Sequence, residues 1–217
     1  MPYILTMLRI SIVASAMAIS SGAMGNSRLP EGFIRLADIA PEIHQDIRYA
    51  GPHNFTGNPV SGYARPVCIL ARPAADALKR VQALLVARGF SLAVFDCYRP
   101  RQAVAAFLRW AKAPAKPSEI NFYLPSIART DVLRLGYVAS RSSHSRGIAV
   151  DVTIVRMEAG AVSSPPVPAI RGSPCNSGGA GQDLPGALDM GTRFDCFDEM
   201  SHIAKCKIPR QPAAAIR

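Results

Sequence analysis

One stretch, residues 142–153, constrains the fold of this chain more than any other. It reads Ser-Ser-His-Ser-Arg-Gly-Ile-Ala-Val-Asp-Val-Thr. The polar first half predicts a loop, Gly147 predicts a turn, and the apolar run that starts at Ile148 predicts a buried strand. His144 is therefore expected in the loop that enters the strand, and Asp151 is expected within the strand.

His144 and Asp151 bring together an imidazole and a carboxylate, which are both side chains that bind zinc. Because a strand end is a rigid platform, the pair could supply half of a tetrahedral zinc site. The alternative is a loop histidine beside a solvated or salt-bridged aspartate. The polar residues that lie directly against a predicted buried strand favour the metal site.

Four ordered motifs carry a resemblance to a known family. The first is the pattern Ser-x-His-x-x-Gly-x-Ala-x-Asp at residues 142–151. The others are Asn-Phe-Thr-Gly with a later Gly-Tyr at residues 54–63, Asp-Cys-Tyr-Arg-Pro at residues 96–100, and Asp-Met-Gly-Thr-Arg-Phe-Asp at residues 189–195. From about residue 30 to His202, the chain resembles the zinc-dependent D-alanyl-D-alanine dipeptidases.

The resemblance implies roles for three residues. His144 and Asp151 match two of the three zinc ligands of the family, and Arg99 matches the arginine that stabilises the tetrahedral oxyanion. A fixed cation in a dry site lowers the barrier where negative charge develops, so the role of Arg99 is physically reasonable. The alternative for Arg99 is a surface salt bridge. Three acidic residues near the last motif are expected to support the ligands or to close loops: Asp189, Asp195 and Asp198.

The family's third ligand and general base are missing from their expected position. In the family a Glu-x-x-His segment, usually Glu-Trp-Trp-His, follows the Asp-Met-Gly motif, and no tryptophan follows Trp110 here. One Glu-x-x-His does occur, but it lies inside the stretch that precedes the family's segment. Glu199 and His202 are therefore substitutes in the wrong place. Because residues 203–217 contain no acidic residue and no helical or strand period, we expect a C-terminally incomplete domain, produced by a frameshift or an early stop.

The expected activity is zinc-dependent hydrolysis of a small D,D-dipeptide, D-alanyl-D-alanine, by metal-activated water. With two ligands and no base, weak zinc binding, little activity and poor solubility are expected. One alternative is a D,D- or L,D-carboxypeptidase that trims peptidoglycan peptides. The other is a non-catalytic, truncated domain that binds metal or ligand weakly.

The N-terminus predicts export. Arg9 precedes an apolar run, and small residues follow at positions 21–23, as in a secretory signal peptide over residues 1–23. The run is short and interrupted by serines, which argues against a membrane span, although an uncleaved anchor is the alternative. The domain then occupies residues 24–217 of a periplasmic or extracellular protein.

Five cysteines would allow two disulfides in an oxidising compartment, with one thiol left over. The sequence leaves the pairing open, and Cys175 with Cys196, which bracket a Gly/Pro-rich loop, is the first candidate. The net charge of +10 comes from scattered Lys and Arg residues without interleaved aromatics. This pattern argues against a nucleic-acid partner. The oligomeric state is left open.

The order of elements predicts the fold class. Helices are predicted over residues 71–89 and 101–112, with a weaker helix over 126–135, because apolar residues recur there at helical spacing. Strands are predicted near residues 33–36, 47–49 and 91–97. Since these strands are short and separated by helices and long loops, we expect a single α+β domain with a small, mostly antiparallel sheet and flanking helices.

Overall fold

The computed structural model describes residues 28–114, 122–157, 173–177 and 183–202. The predicted signal peptide, the tail after His202 and Cys206 lie outside these residues, as does most of the Gly/Pro-rich loop. In the described ranges, no helix has the length and apolar character needed to cross a membrane.

Five strands form two small sheets. Strand β1 (Phe33–Arg35) pairs antiparallel with β3 (Ile69–Ala71). The second sheet has the order β2 (His44–Gln45), β4 (Phe90–Asp96) and β5 (Asp151–Arg156). Strand β4 is parallel to β2 and antiparallel to β5. All seven residues of β4 are buried, so this strand is the centre of the fold.

The described residues contain two α-helices, and the first of them packs against the central strand. Helix α1 (Arg72–Val86) has a proline in its first turn, and Gly89 follows it with a φ of 77°. Its buried Gln82 side chain accepts a hydrogen bond from Leu92 N at 2.8 Å, which fixes the helix on β4. Helix α2 (Arg101–Lys112) begins directly after Pro100, as predicted.

An aromatic core lies under α2. The ring centroids of Phe55 and Trp110 are 4.5 Å apart, and Trp110 stacks on Phe197 at 5.5 Å. Trp110 is 8% exposed and belongs to this core. The predicted Cys175–Cys196 disulfide is present, and a second bond joins Cys68 to Cys97.

The predicted α+β class is confirmed, but three local predictions are wrong. The strand expected at residues 47–49 is a 3-10 turn, Arg48–Ala50, because the Arg48 carbonyl accepts from Gly51 N and Asn54 Nδ2 instead of a sheet neighbour. The helix expected over 126–135 shrinks to a 3-10 turn, Arg129–Asp131.

The reason for the second difference is a competing hydrogen bond. The Ser126 hydroxyl donates to Asp198 across the fold, which holds residue 126 in a loop.

The third difference concerns the strand of the His144 loop. Strand β5 begins at Asp151, and Ile148 is 51% exposed in the segment before it. Gly147 O accepts from Ala71 N at 2.8 Å, so the chain contacts β3 before it joins β4. Asp151 is therefore the first residue of the strand and not an interior one.

Candidate metal centre and its cleft

The carboxyl end of β4 provides a fully buried carboxylate, Asp96. Its Oδ1 accepts from Tyr63 OH at 2.7 Å and from Cys97 N at 2.9 Å, and its Oδ2 accepts from Arg99 Nε at 2.9 Å. Burial raises the pKa of Asp96, and the contacts with Arg99 and Tyr63 oppose that rise. Asp96 thus ties the strand end to the residues that follow it.

A short 3-10 helix, Ser143–Arg146, presents His144. The Ser142 hydroxyl caps this helix by accepting from His144 N at 3.2 Å. The turn ends at Gly147 with a φ of 68°, and a Cβ there would lie 2.6 Å from Phe33 Cε1 and 2.9 Å from Ala71 N. Only glycine fits this close approach without strain, which explains the turn that the sequence predicts.

The two nitrogens of His144 have different roles. Nδ1 lies 2.9 Å from the Cys97 carbonyl and 3.3 Å from Asp96 Oδ2, so it carries the proton. Nε2 then has a free lone pair and faces Asp151 Oδ1 at 3.5 Å. Burial would lower the pKa of His144, but the hydrogen bond and charge of Asp151 outweigh it and raise the pKa.

The spacing of His144 Nε2 and Asp151 Oδ1 fits one metal ion. Two donors that each lie roughly 2.0–2.1 Å from a tetrahedral zinc ion are about 3.4 Å apart. The observed 3.5 Å matches this separation. An imidazole whose far nitrogen donates to a carbonyl is also the usual form of a zinc-bound histidine. Both predicted ligands therefore suit zinc chemically and geometrically.

Asp96 lies in the same cluster but is a poor ligand. Ligand atoms of Asp96, His144 and Asp151 all lie within 4.8 Å of one another, and no other such group of three occurs among the residues described. The Asp96 oxygens, however, already accept hydrogen bonds from Tyr63, Cys97 and Arg99. We therefore assign Asp96 to orienting His144 and Arg99, a role that the sequence did not reveal.

The disulfide between Cys68 and Cys97 anchors the carbonyl that orients His144. Both half-cystines are buried, at 0% and 1% exposure. Cys68 precedes β3, and Cys97 follows β4, so the bond joins the two sheets beside the candidate ligands. Cys97, whose carbonyl orients His144, is therefore fixed both by strand β4 and by the disulfide to Cys68.

Arg99 lies between the carboxylates of Asp96 and Asp151. Its Nη2 contacts Asp96 Oδ2 at 2.7 Å and Asp151 Oδ2 at 3.5 Å. Its guanidinium carbon lies 5.3 Å from the ring centre of Tyr49 and 5.1 Å from that of Phe107. At 16% exposure, its side chain faces the cleft and is not a surface salt bridge.

These groups form one side of the cleft, which we call the strand wall and define as residues 96–99, 142–147 and 151. The opposite side, residues 183–202, is the loop wall. Leu188 N donates to Ile154 O at 2.8 Å, which attaches the loop wall to β5. The cleft between the walls has a volume of about 400 Å³.

The loop wall contributes one buried carboxylate to the cleft, Asp195. Its Oδ1 accepts from Tyr49 OH at 2.7 Å, and its buried Oδ2 has no hydrogen-bond partner. Its φ of 62° is unusual for a residue other than glycine. Burial, assisted by the charge of Asp151, raises the pKa of Asp195 to about 7. The sequence suggested a supporting role for Asp195 but gave no sign of its contact with Tyr49.

The other expected acidic residues close turns. Asp189 Oδ1 accepts from Gly191 N at 2.8 Å, and Asp198 Oδ1 accepts from Met200 N at 2.9 Å. Glu199 and His202 are both exposed, and the His202 ring lies 4.9 Å from Tyr137. Neither belongs to the described cluster of candidate ligands, and their roles as base and ligand remain predictions.

Known proteins resemble this chain over most of its length. The family model described as D-ala-D-ala dipeptidase, of peptidase family M15, matches residues 30–164. A D-alanyl-D-alanine dipeptidase of Enterococcus faecium is 36% identical over 173 residues, which is 80% of this chain and 73% of the relative. One from Streptomyces coelicolor is 32% identical over 84% of this chain and 78% of its own length.

A third relative is more distant. The D-alanyl-D-alanine dipeptidase of Escherichia coli is 29% identical over 83% of this chain and 69% of its own length. The matched region contains the whole strand wall, with its candidate ligands and Arg99. The chain therefore belongs to the D-Ala-D-Ala dipeptidase family of M15 peptidases.

Proposed function

We propose that this protein is a zinc-dependent dipeptidase that hydrolyses D-alanyl-D-alanine. One observation carries the proposal: His144 donates its Nδ1 proton to the Cys97 carbonyl at 2.9 Å and directs Nε2 towards Asp151. That arrangement prepares two zinc ligands, and an arginine suited to a developing oxyanion lies beside them. When bound, zinc supplies Lewis acidity and a water of lowered pKa.

The side chains of the cleft have different proposed roles, which follow from their charges. Arg99 stabilises the oxyanion that develops on the scissile carbonyl, because its guanidinium is fixed by Asp96. Asp195 is the carboxylate proposed to receive the substrate ammonium, because it lines the cleft and its Oδ2 has no hydrogen-bond partner. Tyr49 holds this carboxylate through its hydroxyl. A zwitterionic dipeptide therefore binds with its amino end towards the loop wall.

We also propose that zinc binding is weak. Among the described residues, His144 and Asp151 are the donors with free lone pairs towards a common ion, and Asp96 is already occupied by hydrogen bonds. Two protein ligands hold zinc less tightly than the three of a catalytic site. Equilibrium dialysis should detect less than one tightly bound zinc per chain. Tight one-to-one zinc that is lost in His202→Ala would instead make His202 the third ligand.

The proposed location is outside the cytoplasm. Two disulfides, Cys68–Cys97 and Cys175–Cys196, support export, because such bonds persist in oxidising compartments and are rare in reducing ones. This agrees with the signal peptide that residues 1–23 predict. Detection of the mature protein in the periplasmic or secreted fraction, with both bonds oxidised, is the expected result.

The activity is tested by release of free D-alanine from D-alanyl-D-alanine with added zinc. Removal of Arg99 should lower turnover about 10²–10³-fold, the usual cost of losing one oxyanion donor. Arg72→Ala is the matched control, because Arg72 is exposed, pairs with Asp76 and does not line the cleft. A rate for Arg99→Ala equal to that of Arg72→Ala would contradict the proposed mechanism.

A further inference from the structure

A second cavity adjoins the cleft. It has a volume of about 690 Å³ and lies between helix α2 and the loop that carries His144. The two cavities share lining residues, namely Val104, Arg141 and Ser142. A ligand in the cleft can therefore extend into this second cavity, which we call the arginine groove.

The lining of the arginine groove is cationic. Arg101, Arg141 and Arg146 all line it, and no acidic residue does. In the described part of the chain, neither Arg101 nor Arg141 forms an ion pair with another residue. Some exposed arginines elsewhere are paired; for example, Arg134 contacts Asp131 at 3.0 Å. The groove thus concentrates positive charge that the protein itself does not neutralise.

The groove also holds an unsatisfied polar atom. The Ser145 hydroxyl is buried and has no hydrogen-bond partner, although its backbone N–H donates to Ser142 O at 3.2 Å. A buried hydroxyl without a partner is costly, and Ser145 is among the residues that line the groove. Arg146 Nη2 donates to Ser143 Oγ at 3.4 Å, and both residues also line the groove.

We propose that the arginine groove is an oxyanion-binding subsite that accepts an acidic side chain on the C-terminal residue of the substrate. This inference rests on the proposed function. Asp195 and Arg141 both line the cleft, so a dipeptide whose ammonium lies at Asp195 can direct its carboxylate end towards Arg141, where the cleft meets the groove. Ala105 and Leu108 add an apolar wall for the methylene groups of such a side chain. The subsite would favour acidic D,D-dipeptides over neutral ones of equal size.

The test compares two peptides that differ by one charge, D-alanyl-D-glutamate and D-alanyl-D-glutamine. Their dissociation constants are measured by titration calorimetry on the full, metal-free chain, so that turnover does not enter the result. The acidic peptide should bind about tenfold more tightly, the gain expected from one charge-assisted contact. Arg101→Gln combined with Arg141→Gln should abolish this preference.

The matched control is Arg80→Gln combined with Arg88→Gln, which removes the same charge from the exposed face of α1 and its end. This variant should keep the preference. Equal dissociation constants for the two peptides in the native chain would overturn the subsite and leave the proposed function standing. Binding of neither peptide would overturn the subsite, whereas the proposed function is tested separately by hydrolysis of D-alanyl-D-alanine with added zinc.

A competition experiment with inorganic phosphate distinguishes a general oxyanion site from a site for a peptide carboxylate. Phosphate that competes with the acidic peptide, and binds less tightly in the Arg101/Arg141 variant, supports an oxyanion site in the groove. Phosphate binding with that variant dependence, but without any difference between the two peptides, would overturn the assignment to a substrate side chain.

Discussion

The strand wall and the loop wall of the cleft are built in different ways. In the strand wall, Asp96 and His144 are held by β4, by a capped turn and by several mutual hydrogen bonds. In the loop wall, Asp195 has a left-handed backbone and one oxygen without a partner. A metal ion requires donors at fixed separations, whereas a flexible ammonium group does not. The difference indicates that rigidity is concentrated where the chemistry needs it.

The largest expected effect separates the buried carboxylates of the two walls. Asp96→Asn removes the charge that faces buried Arg99 and should lower the free energy of unfolding by about 3–5 kcal/mol. Asp198→Asn in the loop wall should cost about 1–3 kcal/mol, since the partners of Asp198 are neutral. Urea unfolding of both variants measures the two values. Equal losses would mean that the strand wall does not depend on its buried charge.

One disulfide is attached to each wall, through Cys97 in the strand wall and Cys196 in the loop wall. The two bonds should contribute nearly equally to the stability of the fold. Their separations of 29 and 21 residues correspond, by loop entropy, to about 3.6 and about 3.3 kcal/mol. Removing either bond by paired Cys→Ala substitution should therefore lower the thermal midpoint similarly. Zinc retention in equilibrium dialysis should fall mainly when Cys68 and Cys97 are replaced, because Cys97 O orients His144. A similar loss of zinc after replacement of Cys175 and Cys196 would show that the Cys68–Cys97 bond has no specific role in orienting His144.

Alanine substitutions at one glycine in each wall, Gly147 and Gly186, should differ by a smaller free energy of unfolding. Gly147→Ala combines a left-handed backbone with contacts below 3.0 Å, and it should cost about 2–4 kcal/mol. Gly186→Ala meets its nearest atom, Arg156 O, at 3.3 Å and should cost about 1–2 kcal/mol. Gly136→Ala, which meets nothing within 4 Å, is the control for backbone strain alone. Thermal unfolding should rank the three variants, and a mild Gly147→Ala would contradict the close packing of the His144 turn.

A further contrast is the pH dependence that Asp195 introduces in the loop wall. Its pKa rises from 3.8 to about 7 on folding, so the folded state keeps a proton that the unfolded state loses. Stability should therefore fall as pH rises from about 4 to 7, and Asp195→Asn should remove this component. The measurement is the difference in unfolding free energy between the two proteins across that range. A constant difference would mean that the pKa of Asp195 is not raised.

The sequence predicted the parts of the site that depend on local pattern. Helix α2 follows from its apolar spacing, and the His144 turn follows from Gly147. Pairings between distant residues could not be predicted in this way. The Tyr63–Asp96 hydrogen bond spans 33 residues and Tyr49–Asp195 spans 146, so no local periodicity encodes them.

The same limit applies to cysteine pairing and to strand ends. The composition allowed two disulfides, but only the fold brings Cys68 to Cys97. The apolar run before Asp151 looked like strand, yet the bond from Ala71 N to Gly147 O draws the chain to the other sheet first. Tertiary contacts thus decided where β5 begins.

The Cys68–Cys97 bond also gives the candidate metal centre an order of assembly. Cys97, whose carbonyl aligns His144, is cross-linked only after its thiol and that of Cys68 have been oxidised. Both half-cystines are buried in the folded protein. A newly made chain in reducing surroundings has the same ligands without this tether. For the exported zinc peptidase proposed above, maturation of the candidate metal centre would thereby be linked to passage into an oxidising compartment, and zinc would be acquired after export.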